Sequence, residues 1–208
     1  MPRVRDKRRA KKSGAYHHGD LRRALLDASL ELIDKHGPEG FTLRAATRHA
    51  KVSDAAPYHH FADKEALLLA VAEEGFSLLL GHMQSAAGVG ASAAERARSM
   101  GLAYVEFAAR HPSHFRVMMS RVVLRQTRSI ELARAAGAAF ALVQQALLDG
   151  LGEHGVVRNV ENVIFGSWAL VHGLAFLTVE GHLGPMAAEP DKLRALVEGV
   201  MDVFTAPR

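Results

Sequence analysis

The side chains best suited to chemistry lie between Phe41 and Leu68, in the run FTLRAATRHAKVSDAAPYHHFADKEALL. Beside the carboxylates of Asp54, Asp63 and Glu65, its polar groups are mostly hydroxyls, imidazoles, ammonium and guanidinium groups, with no nucleophile signature among them. Such groups donate hydrogen bonds to phosphate oxygens and to base edges. Arg44 projects from a helix start, where its fork can bridge O6 and N7 of guanine. Two short helical patterns meet at a tight break around Lys51-Val52-Ser53. The second is brief, aromatic and rich in His, and a Lys-containing helix start follows at once. This is the shape of a helix-turn-helix, which lays its second helix in the DNA major groove.

The elements that must position these residues follow from caps and apolar spacing. Asp20 can cap a first helix, with Leu21, Ala24, Leu25, Ala28 and Leu32 at helical spacing. Gly37-Pro38 ends it. Thr42 caps a second helix whose inner face is Leu43, Ala46 and Ala50 and whose outer face shows Arg44, Arg48 and His49. Ser53 or Asp54 caps a third. Pro57 has no N–H and does least harm in a first turn, so this helix is short and begins just before it. Phe61 closes it onto the core, and Asp63 caps a long fourth helix with Leu67, Leu68, Val71, Phe76, Leu79 and Leu80 inside.

Gly88-Val89-Gly90 marks a boundary, beyond which helical segments fall near 93–110, 113–124, 128–150, 158–180 and 190–205. No run of alternating apolar residues suggests a sheet, and no repeat period is visible. The fold class is all-α.

Composition narrows the function. The 208 residues are 49% hydrophobic and 23% charged, ordinary for a globular chain. There is no Cys, which excludes a disulfide framework and a zinc-thiolate site and fits a reducing, cytoplasmic setting. Residues 1–64 hold 14 Lys and Arg against 8 Asp and Glu, whereas the rest of the chain is slightly acidic. The basic excess therefore sits with the helix-turn-helix, as phosphate neutralisation requires. Residues 1–19 form a basic tail, read either as a solvated extension or as an arm that tracks phosphates or enters the minor groove. No apolar segment follows it, so it is not a secretory signal. The apolar run Val163 to Val179 is polar at its centre and reads as a buried helix rather than a membrane span.

Laid out in this way, the first 80 positions resemble the DNA-binding domain of the TetR family of bacterial transcriptional regulators. The carrying residues are DLRRALLDASLELI (20–33), GFTLR (40–44), Val52-Ser53, YHHF (58–61) and DKEALL (63–68). The C-terminal part resembles the variant with a Trp and a His-Gly in its penultimate helix, here Trp168, His172 and Gly173. Behind the basic arm at 1–19, the resemblance implies a three-helix DNA-binding domain at 20–66 and a helical ligand-binding and dimerisation domain at 67–208. It implies a homodimer paired through the last two long helices and reading a two-fold symmetric double-stranded DNA operator. A small-molecule effector in the C-terminal domain would separate the reading heads and relieve repression. Departures from the family pattern are Lys51 in place of a turn Gly, Thr47 in place of Ala and Pro57 in place of an aliphatic residue. A left-handed conformation at Lys51 would cost roughly 1 kcal/mol.

By the same resemblance Asp54, Ala55, Ala56 and His59 occupy base-reading positions. Ala can pack on a thymine methyl, Asp can accept from cytosine and His can donate to purine acceptors. Thr42, Ser53, Tyr58, His60 and Lys64 occupy phosphate-contacting positions. Packing within the three-helix core is the other reading of Tyr58 and His60, and a solvated cap residue that of Lys64. In the C-terminal part Phe107, His111, Phe115, Met118, Met119, Trp168, His172 and Phe176 can line a largely apolar effector site, or can be plain core. Arg116, Arg121, Arg125, Arg128 and Arg134 form a basic group that either meets an acidic effector or is solvated.

No metal spacing, Gly-rich phosphate loop or GxSxG occurs, so neither a metal, a cofactor nor an enzymatic activity is expected. An architectural DNA-binder working through the tail alone would not need the large apolar C-terminal part.

Overall fold

The computed structural model describes residues 18–88, 92–125, 129–154 and 159–205. The expected arm therefore lies almost wholly outside the described residues. Among those described, the chain is helical and contains no strand.

Helix α1 spans His18–Gly40 but kinks at Gly37, whose φ of 69° is left-handed, with Pro38 directly after it. Asp20 lies inside this helix rather than at its cap, because the helix begins two residues earlier. Helix α2 spans Leu43–His49, and the Thr42 hydroxyl accepts from the Ala45 N–H at 3.1 Å, as its spacing predicted. Helix α3 spans Lys64–Ala86, with the Asp63 carboxylate accepting from the Ala66 N–H at 2.8 Å. Both caps satisfy donors that a helix start leaves free.

The expected third helix is a correction. It is a 3-10 turn, Ala56–His59, with Ala55 at its cap position and no side-chain cap. It does begin just before Pro57, which is buried. Few residues separate the preceding turn from the Asp63 cap, too few for a stable α-helical nucleus, so the short i→i+3 form results. Asp54 is also recruited elsewhere. Its carboxylate accepts from the Thr47 hydroxyl at 3.2 Å. The same hydroxyl donates to the Arg44 carbonyl at 2.8 Å, which lets Thr47 sit fully buried.

Lys51 has a φ of 57°, the left-handed value foreseen for this turn. Its N–H donates to the Arg48 carbonyl and the Val52 N–H to the Thr47 carbonyl, which closes α2 by the six-to-one pattern that favours glycine. Lys51→Gly is therefore expected to stabilise the folded protein by about 0.5–1 kcal/mol. The check is the urea midpoint; an unshifted midpoint would mean the turn carries no strain.

Beyond α3 lie α4 (Ala93–Arg110), α5 (Pro112–Met118), α6 (Arg121–Arg125), α7 (Ile130–His154), α8 (Val160–Val179) and α9 (Pro190–Thr205). The segment expected as one helix near 113–124 is two, parted at Met119-Ser120. One continuous core runs from Leu25, Leu26, Ile33 and Phe41 through Leu67 and Leu79 to Phe107, Phe115, Val197 and Met201. Close packing rests on glycines at two crossings. A Cβ at Gly75 would lie 2.6 Å from Met118 Sδ, and one at Gly101 2.7 Å from Met201 Cε.

The run expected as a buried helix is α8, and this too is corrected. Only 28% of its most apolar window is buried in the chain. One face packs on α4, while Phe165, Trp168, Phe176 and Leu177 stand exposed. By length and composition alone α3 and α8 could each cross a membrane, a test that apolar core helices also pass.

Candidate DNA interface and its link to the C-terminal domain

The helix-turn-helix presents one polar edge. Thr42, Arg44, Ser53, Asp54, Ala55, Tyr58 and His59 are exposed, and Ala56, His60 and Lys64 are half-buried. Tyr58 is 63% exposed, so its ring is not part of the three-helix core. His60 differs from it: its Nε2 is enclosed with no hydrogen-bond partner among the described residues, while the ring lies against Phe61.

Arg44 Nε stands 3.7 Å from the Asp54 carboxylate, and both side chains are largely solvated. The Lys64 ammonium donates to the Glu39 carbonyl at 3.1 Å and lies over the Phe41 ring. His49 and Glu31 meet at 2.8 Å and tie α2 to α1. The edge is therefore held by its own side chains before any partner arrives.

Lys64→Ala is expected to weaken binding to every duplex alike. It should also reduce the salt slope by roughly one phosphate's worth, about 0.9. An unchanged slope would leave Lys64 as a tether for the Glu39 carbonyl and nothing more.

The residues considered for an effector site divide into three. Phe107, Phe115 and Met118 are buried core. His111, Met119 and His172 are half-buried, and Trp168 and Phe176 are exposed. Around Phe115 the side chains converge. The Tyr104 hydroxyl and His172 Nδ1 share a hydrogen bond of 3.0 Å, and the His172 ring lies 5.5 Å from Trp168 and 5.7 Å from Phe115. Burial pushes the Tyr104 phenol well above its ordinary value and the His172 imidazole below its own, favouring the neutral form of each.

Tyr104 was not singled out from the sequence. Its position three residues before Phe107, on the inner face of α4, is the signal that could have found it. Beside Phe107, His82, His111 and His114 form an edge-to-face chain with ring centroids 5.6 and 5.8 Å apart. Burial, then the nearby charges of His114, His82 and Arg110, push the His111 pKa down. Among the described residues no group of three metal-ligating side chains could hold an ion.

Two clefts are open elsewhere. One, of about 190 Å³, lies between Asp34 of α1, Arg116 of α5 and Thr178 of α8. The other, of about 460 Å³, lies between Glu39, Glu65, Arg121 and Arg125. Neither is lined by the eight residues above. Of the basic group, Arg116 is engaged by Asp34, Glu180 and the Val179 carbonyl, and Arg128 lies outside the described residues.

A helix-turn-helix held on a long helix that runs straight into an apolar all-helical domain is the architecture of a transcriptional regulator. The chain belongs to the TetR family. Residues 25–71 match the bacterial regulatory proteins of the tetR family, and residues 97–204 match the tetracyclin repressor-like C-terminal domain. No curated protein sequence matches the chain.

Among solved structures it is similar to a protein of unknown function from Rhodococcus sp. RHA1. That pair has 28% identity and a TM-score of 0.71, over 93% of this chain and 100% of that one. It shares the fold of the regulator FadR from Bacillus subtilis, solved with stearoyl-CoA, at 16% identity and a TM-score of 0.70 over 88% and 97% of the two chains. The fold of AibR, solved with isovaleryl coenzyme A and operator DNA, is similar at 18% identity and a TM-score of 0.67, over 86% and 97%.

Proposed function

We propose that this protein is a homodimeric repressor that reads a two-fold symmetric DNA operator and is released from it by a small molecule held in the C-terminal domain. The reading assigns residues 20–66 to DNA binding and 67–208 to effector binding and dimerisation. The observation that carries it is the exposed polar edge of the helix-turn-helix, whose hydroxyl, guanidinium and imidazole groups stand free of the core.

Thr42, Ser53, Tyr58, His60 and Lys64 are assigned to phosphates. Arg44, Asp54, Ala55, Ala56 and His59 are assigned to base edges. The effector is largely apolar with a few polar points, and the Tyr104–His172–Trp168 cluster beside Phe115 is where it is expected to enter. The acyl-CoA thioesters held by FadR and AibR are the class to test first. No catalytic step belongs to this reading.

The test is selection of bound sequences from a random duplex pool at near-physiological salt, with the full-length protein. An enriched two-fold motif supports the reading, and its half-site spacing gives the distance between the two recognition elements. Binding without enrichment would replace it with nonspecific association driven by the basic tail.

A further inference from the structure

The helix-turn-helix is joined to the C-terminal domain by more than the continuous α3. Glu74, in the third turn of that helix, spends its two carboxylate oxygens in opposite directions. Oε2 accepts from Arg23 Nη1 of α1 at 2.6 Å. Oε1 accepts from His114 Nε2 of α5 at 3.0 Å. A carboxylate can only accept, so the His114 proton facing it sits on Nε2. The bridge is sheltered: side-chain exposure is 8% for His114 and 26% for Glu74. Burial raises the Glu74 carboxyl pKa, but the hydrogen bonds and charges of Arg23 and His114 outweigh it and hold the group below its ordinary value.

Two neighbours make this bridge informative. Gly75, the next residue, leaves no room for a Cβ against Met118 and His114, so α3 and α5 cannot drift apart or slide without losing that fit. Phe115 follows His114 on a helix of only seven residues and packs against Tyr104 and His172. Helix α5 thus shows one face to the aromatic cluster and the adjacent residue to the Glu74 bridge.

We propose that Glu74 is a positioning residue whose single carboxylate locks α1 of the DNA-binding domain to α5, so that a displacement of the aromatic cluster reaches the DNA-reading end through His114, Glu74 and Arg23. The proposal rests on the reading of this protein as an effector-controlled DNA binder. Arg23 also pairs with Asp27 inside α1, so losing Glu74 frees the bridge without leaving the guanidinium unpaired.

The test is native-state hydrogen exchange of the α1 amides in the free, full-length protein. Arg23→Ala and His114→Leu remove partners of different oxygens. If Glu74 couples them, each raises α1 exchange several-fold, on the scale of about ten-fold for a coupled contact, and their combination gives less than the product of the two. In a Glu74→Ala background the effect of His114→Leu on α1 is lost, and that of Arg23→Ala shrinks to what the loss of its Asp27 pair contributes. Independent, multiplicative effects that persist in that background would overturn the proposal, because a merely local packing role predicts them. Glu74→Gln preserves the volume and carries the same cycle if Glu74→Ala fails to fold. The exchange result does not depend on an operator. Failure of the duplex selection would remove the DNA reading while leaving the bridge measured on its own terms.

Discussion

Under the proposed function, charging the outward face of α8 is expected to leave the protein a monomer and to abolish high-affinity operator binding. Phe165 and Phe176 are 57% and 51% exposed and lie eleven positions apart, three helical turns, on one stripe. Gly166 and Gly173 flank that stripe, and a Cβ at either would meet nothing within 4 Å. Bulky apolar groups beside small open positions are what a close helix partner requires. Ala195 and Gly199 of α9 are exposed as well, and a Cβ at Gly199 also meets open space. Burying each Phe is worth about 1.5–3 kcal/mol, and two-fold symmetry doubles the number of rings.

Phe165→Glu with Phe176→Glu replaces that gain with carboxylates that would have to be desolvated, a cost of several kcal/mol in all. The loss of the second half-site then lowers affinity on the order of a hundred-fold or more. Analytical ultracentrifugation measures the assembly state, and titration of the enriched duplex measures the binding. A double variant that remains a dimer would show that the copies pair through another surface. Both side chains face away from the core, so the monomer itself should stay folded, which circular dichroism checks.

What the sequence made legible was whatever is written locally. Thr42 and Asp63 cap the helices their spacing assigned to them, and α4 has the bounds read from its breaks. Lys51 adopts the left-handed turn its position called for. Errors arose where a local signal met a distant competitor. Asp54 has the chemistry of a cap, yet Thr47 and Arg44 hold its carboxylate instead. Large apolar side chains carry the same letters whether they fill a core, line a cavity or await a partner, so the run in α8 read as buried while its Phe and Trp rings are exposed. The Glu74 bridge was beyond reach for a simpler reason. Its partners are 51 and 40 residues away, and no periodicity connects them.

Replacing Arg44 with Ala is expected to relax the operator preference at one base pair per half-site by about 1–3 kcal/mol, roughly a five- to 150-fold loss of discrimination. The side chain is free for this task. Its contact with Asp54 is long, at 3.7 Å, and solvated on both sides, so it contributes little and yields easily to a guanine edge. Asp54 keeps the Thr47 hydroxyl when Arg44 is gone, so the turn should hold its shape and stability should change by no more than about 0.5 kcal/mol.

Competition among single-base variants of the enriched duplex provides the measurement. Loss confined to a G·C position assigns Arg44 to O6 and N7 of that guanine. Equal loss at every sequence, with a shallower salt slope, would make it a phosphate clamp instead. Arg44→Lys separates these outcomes further. An ammonium can replace a guanidinium at a phosphate as a point charge, but it lacks the rigid planar fork that matches two acceptors on one base edge. If Arg44 clamps a phosphate, Lys should restore most of the affinity; if it reads a base, Lys should restore little of either the affinity or the preference.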